Sequence, residues 1–343
     1  MSTAVFQGGN ASNEKITAVQ PDVIESHILT QLDGPSLASL ACASSQLHAL
    51  AIQENLWKNI CSSTWPSVNH PLVQEIISTF PFGHRSFFSD SFPFPDPQPL
   101  KLDVNTLTLP TKLISVVDIF YQGKVIYSKV EETETSSSWF LYSPFLVNLL
   151  DPKDSAPTPI KYCGGSRDET WLKHLEENLS LSWIVIDPAR KKAVNVSSRS
   201  AVLVRRHWLT GDVQVRFGTV MVGDGRRGSS RELVECRVVV TCGGKEGGGM
   251  HVREASMVME DMERKGLNGK DSLIILEGIM GSGRRKKRNG NEGKEKYEEF
   301  EERKRKRKEK QQRKEQALDL VCITIGVAGF VTFCLAMLLR LQH

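Results

Sequence analysis

The spacing of hydrophobic residues differs between the two halves of the chain. From Pro21 to Pro66 apolar positions recur at helical spacing, which predicts a compact block of short helices. From Leu113 to Gly278 the apolar residues form short runs rich in Val, Ile and aromatics, separated by Gly, Asn, Asp and Pro. Such runs are typical of strands. Because long helical crossovers are absent there, we expect a mainly antiparallel sandwich or jelly-roll-like body.

Within this body, eight runs are predicted as strands: 114–121, 123–130, 181–187, 201–208, 212–222, 232–241, 251–262 and 271–278. Tyr121–Lys124 and Thr210–Asp212 are predicted hairpin turns, because Gly adopts positive φ without strain. Asp168–Asn178 is predicted to be helical. The glycine-rich stretches 223–228 and 242–249 neither end in Gly-Lys-Ser/Thr nor open a helix, so they are predicted to be hairpin loops instead of phosphate-binding loops.

These patterns predict an α+β protein with six segments. They are a disordered N-terminus (1–15), the helical block (16–66), a connector that is helical and then rich in Pro and Phe (67–111), the β-rich body (112–280), a basic charged linker (281–316) and a transmembrane helix (317–339). The prolines of 81–111 are expected to prevent a regular helix there.

The C-terminal segment has the composition of a membrane anchor. Leu320 to Leu339 is a run of 20 residues without a charge. A helix of that length spans roughly 30 Å, the thickness of a bilayer's hydrocarbon core. Because only four residues follow Leu339, a tail-anchored, single-pass protein is expected. Thr324, Ala328 and Thr332 recur at four-residue spacing and form a weak candidate for a helix-pairing face.

The charges next to this segment predict its orientation. Residues 284–316 hold 16 Lys and Arg against eight Glu, whereas Arg340 is the one Lys or Arg after the run. The positive-inside rule then places the bulk of the chain in the cytosol or nucleoplasm. The expected location is the endoplasmic reticulum or the nuclear envelope, with the nucleus as a further option. The polar start of the sequence lacks the layout of a signal peptide. The clusters 284–288 and 303–308 are interpreted as a juxtamembrane segment that contacts anionic lipid, with nuclear import as the alternative.

Composition argues against several other functions. The formal net charge is +4, but residues 1–283 hold 27 Lys and Arg against 31 Asp and Glu, so the basic character is local and no nucleic-acid binding is expected. The seven cysteines show no zinc spacing and are interpreted as free thiols. Since no acid–base, nucleophilic or metal constellation is apparent, we predict a non-catalytic protein without a cofactor.

The helical block has a small apolar interior. Val23, Ile24, His27, Ile28 and Leu32 are predicted to line one helical face, and Asp33-Gly34 to end that helix through a left-handed residue. Pro35 suits the first turn of a second helix. Because about 45 residues bury too little apolar surface to be stable alone, the block is expected to pack on the neighbouring domain or to present apolar surface to a partner.

The order and spacing of several residues in this block resemble the F-box motif over residues 16–61. They are Pro21-Asp22-Val23-Ile24, Ile28-Leu29 with Leu32, Leu37 with Leu40-Ala41-Cys42, Leu47 with Leu50, and Leu56-Trp57. Further phrases, including LSWIVIDPARKKAVNVSS and RHWLTGDVQVRF, resemble a plant F-box group that includes the cytokinin-induced F-box protein and its C-terminal hydrophobic segment. One departure is Gln46-Leu47-His48, where many F-boxes carry Arg/Lys-x-Trp.

The resemblance implies a role in ubiquitin conjugation. F-box helices dock on an SKP-family adaptor, which links them to a cullin and a RING subunit, and the β-rich body would select an unknown substrate protein. The expected adaptor contacts are Pro21, Ile24, Ile28, Leu29, Leu32, Leu37, Leu40 and Trp57, some of which must be internal core.

Two other interpretations stay open at this point. The helical block could be a subdomain that simply caps the sheet. The protein could also be a membrane-anchored β-sandwich module that binds glycans or lipids, with Trp171, Trp183 and Trp208 lining its pocket, although core packing is the better default for these rings.

Overall fold

The computed structural model shows a sandwich of two sheets with helices on both outer faces, one of which is covered by the start of a long C-terminal helix. The residues it describes are 21–95, 108–151, 153–163, 168–223, 229–245, 247–282, 285–286 and 292–341. The predicted disordered segment 1–15 lies outside these residues, as do residues 96–107 of the predicted connector.

Helices occur mainly at the two ends of the chain. The first, α1 (Pro21–Val23), continues through a π turn (Ile24–Ile28) and a 3-10 turn (Leu29–Gln31), and another 3-10 turn (Pro66–Asn69) precedes α5. The remaining helices are α2 (Gly34–Leu40), α3 (Ser45–Ala51), α4 (Glu54–Thr64), α5 (Pro71–Ser78), α6 (Gly83–Ser91), α7 (Ser138–Tyr142), α8 (Asp168–Asn178), α9 (Gly269–Ser282) and α10 (Glu292–Leu341).

The strands between them form two larger sheets and one small pair. In chain order they are β1 (Phe94–Pro95), β2 (Lys112–Tyr121), β3 (Lys124–Glu134), β4 (Leu146–Asn148), β5 (Ala156–Lys161), β6 (Leu179–Asp187), β7 (Lys192–Asn195), β8 (Arg199–Ser200), β9 (Leu203–Arg206), β10 (Val213–Val222), β11 (Leu233–Gly244), β12 (Gly249–Asp261) and β13 (Arg285–Lys286). The six-stranded sheet has the order β4-β12-β11-β10-β9, with β5 also beside β12. The five-stranded sheet has the order β3-β2-β6-β7, with β8 beside β6, and β1 pairs with β13.

The two larger sheets pack face to face as a sandwich. Alternate residues of each strand point to opposite faces. Val117 and Trp183 of the five-stranded sheet therefore share one buried cluster with Phe217 and Val238 of the six-stranded sheet. Every strand pair among the described residues is antiparallel. The predicted α+β class with an antiparallel body is confirmed.

The N-terminal helices cover the other face of the five-stranded sheet. Val116 and Ile184, which point away from the sandwich interior, are buried in one cluster with helical residues such as Phe87 and Phe88. At this interface the buried Asp118 of β2 accepts hydrogen bonds from the backbone N–H of Ser67 (3.0 Å) and from the Ser67 hydroxyl. Of the two outcomes expected for the helical block, the structure shows packing on the neighbouring domain.

The N-terminal part of α10 covers the outer face of the six-stranded sheet. Tyr297 and Phe300 are buried there, and the tyrosine ring lies over Gly218 of β10, where a β-carbon would come within 3.0 Å of the ring. Lys304 is also buried and lies 3.6 Å from a carboxylate oxygen of the fully buried Glu235. The basic segment predicted as a linker is therefore helical from Glu292 onward and packs on the body. This stretch and the apolar segment form one continuous helix.

Three local predictions are wrong. Residues 271–278, predicted as a strand, lie in α9, because a short apolar run does not distinguish a buried helix from a buried strand. Within 81–111, where no regular helix was expected, residues 83–91 form α6 between the prolines. Gly34 does not end a helix in a left-handed conformation: it is the first residue of α2, and a β-carbon there would lie 2.2 Å from the Phe88 ring.

Other local predictions are confirmed. Gln122 and Gly123 have positive φ in the turn between β2 and β3, as does Gly211 in the turn between β9 and β10. The predicted helix Asp168–Asn178 is α8. Gly247 also has positive φ in the predicted loop between β11 and β12, whereas residues 224–228 of the other glycine-rich stretch lie outside the described residues.

Candidate adaptor-binding surface

Side-chain caps position the short helices of the N-terminal block. Asp33 is the N-cap of α2 and accepts a hydrogen bond from the backbone N–H of Ser36 at 2.9 Å. Hydrogen bonding from the Ser36 side chain, and then from its backbone, lowers the pKa of the Asp33 carboxyl. Ser44 caps α3 in the same way by accepting from the N–H of Leu47 at 3.2 Å. These caps end the preceding turns and begin the next helix, so a 31-residue stretch from Gly34 to Thr64 holds three helices.

The eight residues expected to contact an adaptor fall into different environments. Ile24, Leu29, Leu37 and Trp57 are buried in the core shared with the sheet, and the indole N–H of Trp57 donates to the carbonyl oxygen of Ala51 at 2.8 Å. Their side chains shape the block and are not on its surface. Leu32 and Leu40 are half-buried, Ile28 is 45% exposed, and the Pro21 side chain lies outside the described part of the chain.

Two exposed apolar residues join Ile28 on the outside of the block. Val23 and Ile52 are each more than two-fifths exposed, whereas Ile24, beside Val23, is almost fully buried. The helical-face pattern put Val23, Ile24 and Ile28 on one side, but the π turn from Ile24 to Ile28 changes the phase of the helix. Sequence reasoning therefore missed Val23 and Ile52 as surface residues, although its list of apolar positions already included Val23.

The departure at Gln46–His48 has a structural consequence. Leu47 is buried, so it occupies the core position of this segment. His48 is exposed, and its Nδ1 lies 3.1 Å from the carbonyl oxygen of Ala41, which links α3 to the end of α2. The segment is thus anchored by one apolar side chain and one polar contact, where a bulky Trp was expected from the motif.

The block is tied firmly to the helices that follow it. Glu54 at the start of α4 accepts hydrogen bonds from the backbone N–H of His84 (3.0 Å) and contacts its Nδ1 (2.5 Å) at the start of α6. Phe88 of α6 packs against Trp57 with ring centroids 5.4 Å apart. Any partner that binds the outside of the block is therefore held rigidly relative to the β-rich body.

The three tryptophans considered as a ligand pocket lie in separate environments. Trp183 is fully buried between the sheets, where its indole N–H donates to the Ser115 hydroxyl at 3.1 Å. Trp171 is half-buried beside Tyr162, and Trp208 is 88% exposed. Because one ring is in the core and another in solvent, the three do not line one pocket, and nothing in their arrangement favours the glycan- or lipid-binding interpretation.

The C-terminal helix has the dimensions of a membrane span. Large apolar side chains of this segment whose burial is described are exposed, including Ile323, Ile325 and Phe330. Among the described residues it is the one helix that is long and apolar enough to cross a bilayer, as judged by length and composition. It is continuous with the part of α10 that packs on the six-stranded sheet.

Comparison with known families identifies the helical block. A family model described as F-box-like matches residues 21–63, which comprise α1 to α4 and the turns between them. The fold and this site define an F-box protein: a small helical domain joined to a separate, β-rich body. Comparison with solved structures gives no match.

Similarity to three proteins of Arabidopsis thaliana extends beyond the helical block. The chain is 44% identical to F-box protein At2g27310 over 96% of its own length and 98% of that protein. It is 47% identical to F-box protein At3g44326 over 85% of this chain and 81% of that protein. It is 43% identical to the probable F-box protein At2g36090 over 97% of this chain and 98% of that protein. The chain therefore belongs to this family of plant F-box proteins.

Proposed function

We propose that this protein is the substrate-recognition subunit of an SKP–cullin–F-box ubiquitin ligase and that α10 tethers it to a membrane. The observation that carries the proposal is the F-box-like match over residues 21–63, on helices that leave Val23, Ile28 and Ile52 exposed. These residues, with the half-buried Leu32 and Leu40, form the proposed adaptor surface. Ile24, Leu29, Leu37 and Trp57 act by holding it in shape.

In this role the chain performs no chemistry itself. The adaptor links it to the cullin and RING subunits, and a bound target is held near a ubiquitin-conjugating enzyme that the complex recruits. The acceleration comes from effective concentration, because a tethered lysine meets the activated ubiquitin far more often than a free one. The β-rich body selects the target. The resemblance to the cytokinin-induced F-box protein adds a hormone context to this proposal.

Adaptor capture tests the F-box part of the proposal. Replacing Ile28 and Val23 by Glu places two charges on the exposed apolar surface, and we expect at least a tenfold loss of affinity for a purified SKP-family adaptor. Phe82→Glu is the matched control, since Phe82 is 71% exposed but lies outside the matched residues. Equal adaptor binding by the two variants would count against this surface.

The membrane part rests on the length and charge of α10. The segment 317–339 would span the bilayer, with the basic residues before it on the cytosolic or nucleoplasmic side of the endoplasmic reticulum or nuclear envelope. Deleting 317–343 should release the protein from sedimented membranes. In the intact protein the sequon at Asn178 should stay unglycosylated, and glycan at this site would show the opposite orientation.

Packing of α10 on the body brings the β-rich domain close to the proposed membrane. The Arg307 guanidinium donates to the carbonyl oxygen of Ser229 at 2.8 Å, and it lies 3.6 Å from Glu263. From Arg307 to Ala317 the helix continues for ten residues, which is about 15 Å. The body is therefore held near the bilayer by a continuous helix.

A further inference from the structure

The turn between β9 and β10 presents two large apolar side chains to solvent. Trp208 is 88% exposed and Leu209 is 70% exposed. They are adjacent at the tip of the turn from His207 to Asp212. Exposing both side chains leaves a large apolar area in water, and exposed aromatic residues of this kind are over-represented among the residues that dominate protein–protein affinity.

Hydrogen bonds within the turn hold its backbone in one conformation. The N–H of His207 donates to the carbonyl oxygen of Asp212 at 2.7 Å. The N–H of Gly211 donates to the carbonyl oxygen of His207 at 2.9 Å. Gly211 has a φ of +73°, which residues with a β-carbon rarely adopt. The backbone that carries the two apolar side chains is therefore ordered before any partner binds.

Arginine contacts brace the turn from both sides. The Arg206 guanidinium donates to the carbonyl oxygens of Gly211 (2.9 Å) and Cys163 (3.0 Å), and it lies over the Tyr162 ring at 5.0 Å. Arg253 contacts both carboxylate oxygens of Asp212, at 3.0 and 3.2 Å. A partner that binds this turn loses little entropy in ordering it, because these contacts already exist in the free protein.

The turn lies at the end of the six-stranded sheet that is remote from the proposed membrane. Along α10, Tyr297 contacts Arg216 and Gly218 in the middle of β10, and Arg307 contacts Ser229 beyond its C-terminal end. The helix thus runs toward the end of β10, whereas the turn precedes its first residue. The ten residues of β10 span about 33 Å, and Arg307 to Ala317 adds roughly 15 Å. Trp208 therefore lies far from the proposed bilayer, which favours a protein partner over lipid.

The charges beside the turn indicate the chemistry of that partner. Arg205 is exposed and hydrogen-bonded to the uncharged Gln214, and Arg253 remains about half exposed although it pairs with Asp212. Lys161, next to Tyr162 in the chain, is also exposed. An apolar tip with a basic border complements an apolar pocket with an acidic border.

We propose that Trp208 and Leu209 are the anchor by which this protein binds its ubiquitination target, a protein that offers an apolar pocket bordered by acidic side chains. This inference rests on the proposed ligase function. It assigns target selection to the membrane-remote end of the six-stranded sheet, and it leaves the F-box helices free for the adaptor.

The test compares target turnover among variants of the full-length chain expressed in plant cells that lack the endogenous protein. Targets are first defined as proteins that accumulate when the wild type is replaced by the Val23→Glu, Ile28→Glu variant, as measured by quantitative proteomics. The Trp208→Ala, Leu209→Ala variant should stabilise the same proteins while it captures the adaptor as well as wild type does. The control is Trp139→Ala, Tyr142→Ala, a second pair of highly exposed aromatic residues, on α7.

The possible results separate a failure of the ligase function from a failure of the anchor proposal alone. If the variant of the F-box surface stabilises no protein, the ligase function fails, and the anchor proposal fails with it. If that variant stabilises targets but Trp208→Ala, Leu209→Ala degrades them at the wild-type rate, the anchor alone is wrong. Stabilisation by the α7 control in place of the turn variant would place the target site on α7 and would also overturn the proposal.

Direct binding then sharpens the result. For a purified target found in this way, the turn variant should bind at least about tenfold more weakly than wild type, and high salt should weaken the wild-type interaction. Melting temperatures of wild type and variant should agree, because both side chains are exposed. In nanodiscs made with brominated lipid, Trp208→Ala should not change the fraction of quenched fluorescence. A loss of quenching in this variant would show that the turn contacts lipid, which would overturn the proposal.

Discussion

Two helical elements cover opposite outer faces of the same sandwich, and they do so by different chemistry. The N-terminal helices bury an apolar, aromatic-rich interface on the five-stranded sheet, with the Asp118 carboxylate fully engaged by Ser67 and Ser128. Helix α10 covers the six-stranded sheet with Tyr297 and Phe300 and with the buried Glu235–Lys304 pair. Among the described residues, neither carboxylate oxygen of Glu235 has a hydrogen-bond partner.

This difference indicates which of the two helical elements stays docked on the sandwich when pH or salt changes. Apolar burial is largely insensitive to pH and salt, and its loss leaves cavities that the structure cannot fill. A buried ion pair with incomplete hydrogen bonding contributes little net stability, since desolvation offsets the attraction between the charges. We therefore expect the helical block to stay docked whenever the protein is folded, and the docking of α10 to respond to single charges.

The largest effect should come from the aromatic interface. Replacing the fully buried Phe87 by Ala removes a ring that packs against Trp65 at 5.7 Å, and we expect a loss of about 3–5 kcal/mol in the free energy of unfolding. Urea unfolding followed by tryptophan fluorescence measures it. Phe82→Ala, at an exposed position nearby, should change stability by less than about 0.5 kcal/mol. Similar losses in the two variants would contradict the burial of Phe87 in the helix–sheet interface.

The polar part of the same interface should be next in size. Asp118→Ala leaves the Ser67 N–H and two serine hydroxyls without their buried acceptor, so we expect a loss of about 2–4 kcal/mol in the same unfolding assay. Burial raises the pKa of Asp118 above its usual value. Asp118→Asn keeps an acceptor oxygen without the buried charge and should therefore cost clearly less. An Asn variant as unstable as the Ala variant would show that charge, and not hydrogen bonding, is what Asp118 supplies.

The docking of α10 should weaken when its buried cation is removed. Lys304→Met leaves Glu235 buried beside fewer positive charges, and we expect docking to lose about 1–3 kcal/mol without global unfolding. Faster hydrogen exchange of the α10 amides around Tyr297 and Phe300 would report it. Lys306→Met is the matched control, since Lys306 is exposed and pairs with Glu302 on the same helix. Unchanged exchange in the Lys304 variant would mean that apolar contacts alone hold α10.

The smallest effect should be the pH dependence of this docking. Burial raises the pKa of Glu235 despite the nearby cations Lys304, Arg216 and Arg237. The folded protein therefore holds this proton more tightly than the unfolded chain does, and the contribution to stability decreases as pH rises from the unfolded pKa through the folded one. The stability difference between wild type and Glu235→Gln should fall over that window, because other carboxylates cancel in the comparison. Parallel stability–pH curves would contradict this account.

The sequence predicted the elements with a strong local signal. The alternation of the apolar Val213, Val215 and Phe217 with polar residues and the glycine of the 210–212 turn identified β10 and its hairpin, since both depend on neighbouring residues alone. It could not show that Phe88 requires a glycine at position 34, or that Lys304 lies against Glu235, because these contacts join residues more than 50 positions apart. The motif located the F-box-like segment, but which residues of its first helix are exposed depended on the π turn after Val23.

The unbroken path of α10 from the sheet to the proposed bilayer has a consequence for the choice of lysine. A receptor on a flexible linker would sample a wide range of distances from the bilayer, whereas here about 15 Å of continuous helix, from Arg307 to Ala317, joins the docked part of α10 to the proposed span. The active site of the recruited ubiquitin-conjugating enzyme would then be restricted to a narrow range of distances from the membrane. Target lysines at that distance from the membrane would be modified. Lysines close to the lipid headgroups or far out in the cytosol would not be reached.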